Sequence, residues 1–195
     1  PDCRLPRETL NAEIKTILEA GDIQVRTNTR IGQDITMKEL REQFDAIYIA
    51  VGAHKSLKLG IEGEDLQGVV HGIDFLRDVN LGKDVSYIKG KRVAAVGGGN
   101  VAIDVARTAL RLGASEVHIV YRRRREDMPA NEEEIEQAEE EGVKMHYLLT
   151  PISILGQDGH VAALRCQHMK LEQESPDGGK HPVFDSSGRK RPFPI

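Results

Sequence analysis

The chain has 195 residues, 39% apolar and 30% charged, and 27 basic against 31 acidic residues leave a net charge of −4. That balance excludes collagen-like, low-complexity and wholly disordered chains, and it argues against polyanion binding over the whole surface, though a local basic patch stays open. Aromatic residues reach only 4% and Trp is absent, so a core must be built from Val, Ile, Leu and Ala.

Leu10, Ile14, Ile17 and Leu18 share one face of a predicted helix over 7–20, with Gly21 at its end, and 23–26 reads as a short strand. Thr36 opens a capping box with Glu39, and Met37, Leu40 and Phe44 supply the apolar stripe of a second helix. The nearly continuous apolar run at 45–51, ending at Gly52, is the mark of a buried strand. These pieces of an α/β unit are too few to bury a core alone. From 54 to 72 the text is loop-like and reads as a crossover between two domains, followed by a short helix at 73–79 and a polar loop to Gly90.

A strand at 91–96, a helix at 100–112 ended by Gly113, and a strand at 116–121 come next. Asn131 then caps a helix running to 141, with Glu134 at the capping-box position and Gly142 as terminator, and 144–149 is a further strand. The order β-α-β-α-β predicts a Rossmann-type, doubly wound parallel sheet with crossover helices. Segments 151–155 and 161–171 flank Gln157-Asp158-Gly159-His160, a hairpin turn signal, so an antiparallel hairpin is appended. After Glu172 the text is rich in Gly, Pro and Ser, and no element is expected there.

Cys3 and Cys166 form no C-x-x-C pair, iron–sulfur spacing or disulfide framework. This fits a reducing, cytoplasmic compartment and leaves any redox chemistry to a borrowed cofactor. No apolar run approaches the ~20 residues of a membrane span, so no membrane partner is expected. Beginning at Pro1 and stopping at Ile195 in a loop-like stretch, the chain reads as a piece of a longer one. No metal-ligand set, G-x-S-x-G, H-E-x-x-H or P-loop motif appears, so metal sites, hydrolases and P-loop enzymes lack support.

The chemistry is carried by Gly97-Gly98-Gly99-Asn100-Val101-Ala102, which follows a strand and opens a helix. It matches G-x-G-x-x-A, a variant of the dinucleotide fingerprint. Gly97 suits the tight turn, Gly99 lets the backbone approach a pyrophosphate, and Ala102 keeps helix and strand close. The helix N-terminus offers free N–H groups and partial positive charge to an anion. A glycine triplet alone is a common turn, but here the strand, helix and next strand are all in place.

The end of the second strand chooses the dinucleotide. An NAD site carries Asp or Glu there for the ribose 2′-OH, whereas this chain reads Tyr121-Arg122-Arg123-Arg124-Arg125. Guanidinium groups in that place fit a 2′-phosphate and predict NADP. A solvated loop pairing with Glu126, Asp127 or the acidic helix behind it is the competing reading. Nucleic acid is disfavoured by the negative net charge and the lack of interleaved aromatics.

In chain order, Arg4-Leu5-Pro6, Asn28-Thr-Arg-Ile-Gly32, Phe44-Asp45, Ala50-Val-Gly-Ala53, Gly63-Glu-Asp65, Gly97-Gly-Gly-Asn100, Tyr121-Arg-Arg123 and Met128-Pro-Ala130 form a recognisable set. Together they resemble the small (beta) subunit of NADPH-dependent glutamate synthase and its relatives. Those include the flavin half of dihydropyrimidine dehydrogenase and the flavin subunits of bifurcating transhydrogenases. The resemblance implies an FAD domain interrupted by an NAD(P)H domain, with hydride passing from nicotinamide to FAD and electrons on to iron–sulfur clusters or a partner subunit. Residues 1–53 would then be a partial Rossmann-type FAD-domain flank and 54–90 the crossover. Residues 91–171 would be the NADPH domain with its hairpin, and 172–195 a loop leading back toward the FAD domain. Gly97 to Ala102 would hold the pyrophosphate and Arg122 and Arg123 the 2′-phosphate, while Arg4 and the segment ending at Ile31 would lie against FAD. The first FAD glycine fingerprint and the cysteine-rich cluster region have no counterpart in this sequence, so the chain by itself would be inactive. No side chain is expected to act as acid or base, because the cofactors carry the chemistry. The alternative is a dinucleotide-sensing or partner-docking module without electron transfer.

Overall fold

Glu39 lies one helical turn beyond Thr36, and the two residues satisfy each other's backbone: the Glu39 N–H donates to Thr36 Oγ1 at 3.2 Å and the Thr36 N–H to Glu39 Oε2 at 2.8 Å. That capping box opens helix α2 (Met37–Gln43), which follows helix α1 (Arg7–Glu19). The computed structural model describes residues 4–173, 180–185 and 187–194, and the chain divides into one unit ending at His54 and another beginning at Lys55.

In the first unit both predicted helices form, but the predicted strands do not. Residues 23–26 and 45–51 form no strand and are exposed, with Tyr48 93% accessible. The expectation of a buried strand at 45–51 is therefore corrected. A strand exists only where a neighbouring strand takes up its alternate N–H and C=O groups, and none of the described residues of this unit does so. Leu10, Ile14 and Ile17, on the apolar face of α1, are also exposed.

The second unit begins with helix α3 (Gly72–Asn80), then strand β1 (Arg92–Val96), helix α4 (Asn100–Arg111), strand β2 (Glu116–Val120), helix α5 (Glu132–Glu140) and strand β3 (Lys144–His146). The three strands pair in parallel in the order β1-β2-β3, with Ala95 beside Ile119 and Val120 beside His146. Alternation along β2 sends Val117 and Ile119 into a core with Ile103, Ala106 and Ala109 of α4 and Ile135 and Ala138 of α5. The other face presents Val120, Ala94 and Val96 to Leu149, Ile154, Leu164 and Cys166. The α/β, Rossmann-type sheet is thus as expected, and its second face is met by the antiparallel strands that follow.

Those strands are β4 (Leu149–Gln157) and β5 (His160–Gln173), joined through Asp158 and Gly159 at φ 51° and 80°. Positive φ at both central residues is the hairpin turn that Asp-Gly favours. Three expectations change here. The single strand predicted at 144–149 is interrupted, because Leu148 turns left-handed at φ 53° and Leu149 starts the new sheet. Beyond Glu172, where no element was expected, strands β6 (Lys180–Phe184) and β7 (Lys190–Pro194) pair antiparallel with β5. Gly and Pro content argues against intrinsic strand formation, but pairing with a long neighbour overrides it. The capping box expected at Asn131 is also absent: Asn131 makes no side-chain cap, and its N–H goes to Asn100 Oδ1 at 3.1 Å.

Candidate functional site: the glycine turn and the arginine loop

The turn between β1 and α4 is set by Gly97, whose φ of +136° lies where L side chains rarely go. Its N–H donates to the Val120 carbonyl at 3.1 Å, and a Cβ placed on it would lie 3.4 Å from Cβ of Ala102. The small Ala102 thus lets α4 approach the strand end. Gly98 is a glycine for a different reason: a Cβ there would fall 2.5 Å from the Tyr121 ring, which fills that space. Gly99 has no such neighbour. A Cβ on it would meet nothing nearer than Pro129 Cγ at 3.9 Å, and its φ of −92° suits any residue.

Gly99 is the N-cap of α4 and offers no side chain to the helix end. Among the described residues the N–H groups of Gly99, Asn100 and Val101 find no acceptor, while Val101 and Asn100 are exposed. Free amides, the positive end of a helix dipole and an open approach over Gly99 are the conditions for holding an anion.

Beyond β2 the chain turns back over this site. Ala130 N–H donates to the Gly98 carbonyl at 3.2 Å, and Asn131 N–H to Asn100 Oδ1 at 3.1 Å. The Tyr121 hydroxyl donates to the Asp127 carbonyl at 2.7 Å, and burial pushes the phenol pKa up, so it stays a donor. Between these anchors the four arginines divide. Arg124 pairs with Glu126 at 2.7 Å and Asp127 at 3.2 Å, and Arg125 with Glu132 and with Glu139 at 3.4 Å. Burial opposes the Asp127 charge, yet the Arg124 hydrogen bonds hold its carboxyl below the usual range. Arg122 is exposed and Arg123 half-buried, and neither has a carboxylate within ion-pair distance among the described residues. The solvated-loop pairing therefore describes Arg124 and Arg125, and leaves Arg122 and Arg123 with unused guanidinium donors.

The structure thus brings Gly97 to Ala102 and the start of the arginine loop to one edge of the parallel sheet, at the C-terminal ends of β1 and β2. Arg4 and Ile31 lie in the unit ending at His54, where Ile31 bridges to Ile35 beside a turn closed by Asp34. Sequence reasoning missed Tyr121, Pro129 and Ala130 as parts of the turn. One signal was present: Gly98 occupies a motif position that does not require glycine, which points to a close neighbour. No group of three His, Cys, Asp or Glu residues suited to a metal occurs among the described residues, nor a helix long and apolar enough to cross a membrane.

The family model described as pyridine nucleotide-disulphide oxidoreductase matches residues 6–175. NADP(+)-dependent formate dehydrogenase subunit beta of Moorella thermoacetica is 45% identical over 197 residues, 100% of this chain and 26% of that protein. Glutamate synthase [NADPH] small chain of Halomonas elongata is 31% identical over 190 residues, 93% of this chain and 40% of that protein. The chain thus spans well under half the length of these relatives. Among solved structures, FprA from Mycobacterium tuberculosis in complex with NADPH superposes with a TM-score of 0.69 at 22% identity, over 86% of this chain and 52% of that one. That likeness shows the fold. A matched segment of this extent, carrying the glycine turn between a parallel strand and its helix, places the chain in the pyridine nucleotide-disulphide oxidoreductase family, whose members bind FAD and NAD(P).

Proposed function

We propose that the unit beginning at Lys55 is the NADPH-binding domain of a flavin-dependent oxidoreductase. The pyrophosphate would be held by the free amides at the α4 N-terminus over Gly99, with Gly97, Gly98, Asn100, Val101 and Ala102 forming the turn. Arg122 and Arg123 would hold the 2′-phosphate. The observation that carries this reading is the division of the arginines. Two neutralise nearby carboxylates, and two, at the end of β2, have no carboxylate within ion-pair distance among the described residues; the adenine ribose of a bound dinucleotide lies there in this fold.

When bound, the nicotinamide supplies a hydride to a flavin, and in the whole protein the electrons would continue to iron–sulfur clusters or a partner subunit. Relatives named as subunits or chains of NADP- or NADPH-dependent enzymes support that reading. This chain's own residues bind and orient, and none is needed as an acid or base. The FAD contacts would come from the unit ending at His54, with Arg4 and the segment ending at Ile31.

Calorimetric titration with NADP and NAD tests the assignment. Two charge-assisted contacts should favour NADP by roughly 10²-fold. The double change Arg122→Ala/Arg123→Ala should remove that preference, leave NAD binding nearly unchanged and flatten the salt dependence of NADP binding. Equal losses for both nucleotides, or no loss for either, would reject the reading.

A further inference from the structure

Tyr121 is the residue at which the glycine turn and the arginine loop meet. Its N–H donates to the His146 carbonyl at 2.9 Å and its own carbonyl accepts from Leu149 N–H at 3.0 Å, which pins its backbone to the next strands. Its ring occupies the space that a side chain on Gly98 would need. Its hydroxyl reaches forward six residues to the Asp127 carbonyl at 2.7 Å. Arg122 and Arg123 therefore lie between a residue seated on the glycine turn and a short 3-10 turn, Arg125–Asp127, that the same residue holds by its hydroxyl. The Arg123 carbonyl is tied as well, accepting from Leu148 N–H at 3.0 Å.

We propose that Tyr121 is a positioning residue for nucleotide selectivity: by sitting on Gly98 and holding Asp127, it keeps Arg122 and Arg123 at a set place relative to the pyrophosphate turn before any ligand arrives. The inference rests on the NADP reading above. Its physical basis is preorganisation. A phosphate binds more tightly to guanidinium groups whose backbone is already ordered, because less conformational freedom is lost on binding. The 2′-phosphate would gain most from this ordering, whereas NAD lacks that phosphate and so draws less on the two arginines.

The test compares NADP and NAD dissociation constants by calorimetry for the full chain, Tyr121→Phe and Arg122→Ala/Arg123→Ala. Tyr121→Phe keeps the ring on Gly98 and removes only the hydroxyl. Losing one hydrogen bond's worth of ordering should weaken NADP roughly three- to tenfold, with NAD changed less than about twofold. The salt dependence of NADP binding should persist, because both guanidinium groups remain. A purely structural role would instead weaken both nucleotides together, and that result, or no change in their ratio, overturns the proposal. If the double arginine variant abolishes the preference and Tyr121→Phe does not, this inference alone fails. If the double variant leaves the preference intact, or the parent binds neither nucleotide, the NADP reading fails and this one with it. Amide exchange of the parent chain checks the ordering that the proposal requires without a variant. The N–H groups of Asp127 and Met128, bonded to the Arg124 and Arg125 carbonyls, should already be protected in the absence of nucleotide. Protection that develops only with NADP would show an unordered loop and overturn the proposal.

Discussion

Three consecutive glycines make the residue scale unusually informative, since each is a glycine for a different reason. Gly98 faces the Tyr121 ring and Gly99 faces open space. Gly98→Ala should therefore destabilise the fold by about 1–3 kcal/mol through overpacking. Gly99→Val should cost less, at most the roughly 1 kcal/mol of a poorer N-cap residue, but weaken NADP and NAD alike, because its side chain enters the pyrophosphate path. Thermal denaturation and calorimetry on the two variants separate these outcomes, and a Gly99→Val chain that binds NADP like the parent would misplace the site. Cys166 offers a simpler check. It is fully buried, and burial pushes its thiol up to about 11. A thiol reagent at neutral pH should modify Cys166 only after unfolding, as read by mass spectrometry of its peptide.

At the scale of elements, α4 and α5 are tied by a carboxylate at the α5 C-terminus, where the helix dipole alone would disfavour it. Glu141 accepts from Arg111 at 2.7 Å and from the buried Arg107 at 2.7 Å, and these bonds hold its carboxyl below its ordinary 4.5. Because the folded value lies below the unfolded one, this stabilisation is fully present above about pH 4.5 and is lost as pH falls through the folded value. Glu141→Gln should cost about 1–3 kcal/mol at pH 7, since it leaves buried Arg107 without its anion. Urea unfolding should show the gap closing in acid; a gap that persists would assign the cost to packing. On the sheet face opposite these helices, His118 Nδ1 lies 2.9 Å from His146 Nε2, and His118 Nε2 lies 3.3 Å from Glu116. This chain of partners lets a buried histidine sit in the middle of β2 at little cost.

At the scale of the molecule, the two units differ in what they bury. Among the described residues up to His54 no side chain is fully buried, whereas β2 and α4 hold several at or near zero exposure. Amide exchange should therefore be orders of magnitude faster in α1 and α2 than in β2 and α4. Comparable protection in both would mean that the exposed apolar residues of the first unit are covered in solution.

Local patterns determined the helices, the Thr36–Glu39 capping box, the glycine turn and the Asp158-Gly159 hairpin, because each depends on residues a few positions apart whose backbone preferences are intrinsic. The arginine cluster was legible as a cofactor signal for the same reason. Which arginines find carboxylates was not legible, since that depends on where Glu132 and Glu139 of α5 fall in space. The strands went wrong in both directions for one cause. Residues 45–51 have strand composition but no partner strand among the described residues, and 180–184 and 190–194 have poor composition with β5 beside them. Strand formation and ion pairing are settled by neighbours distant in sequence, and only the tertiary structure chooses those.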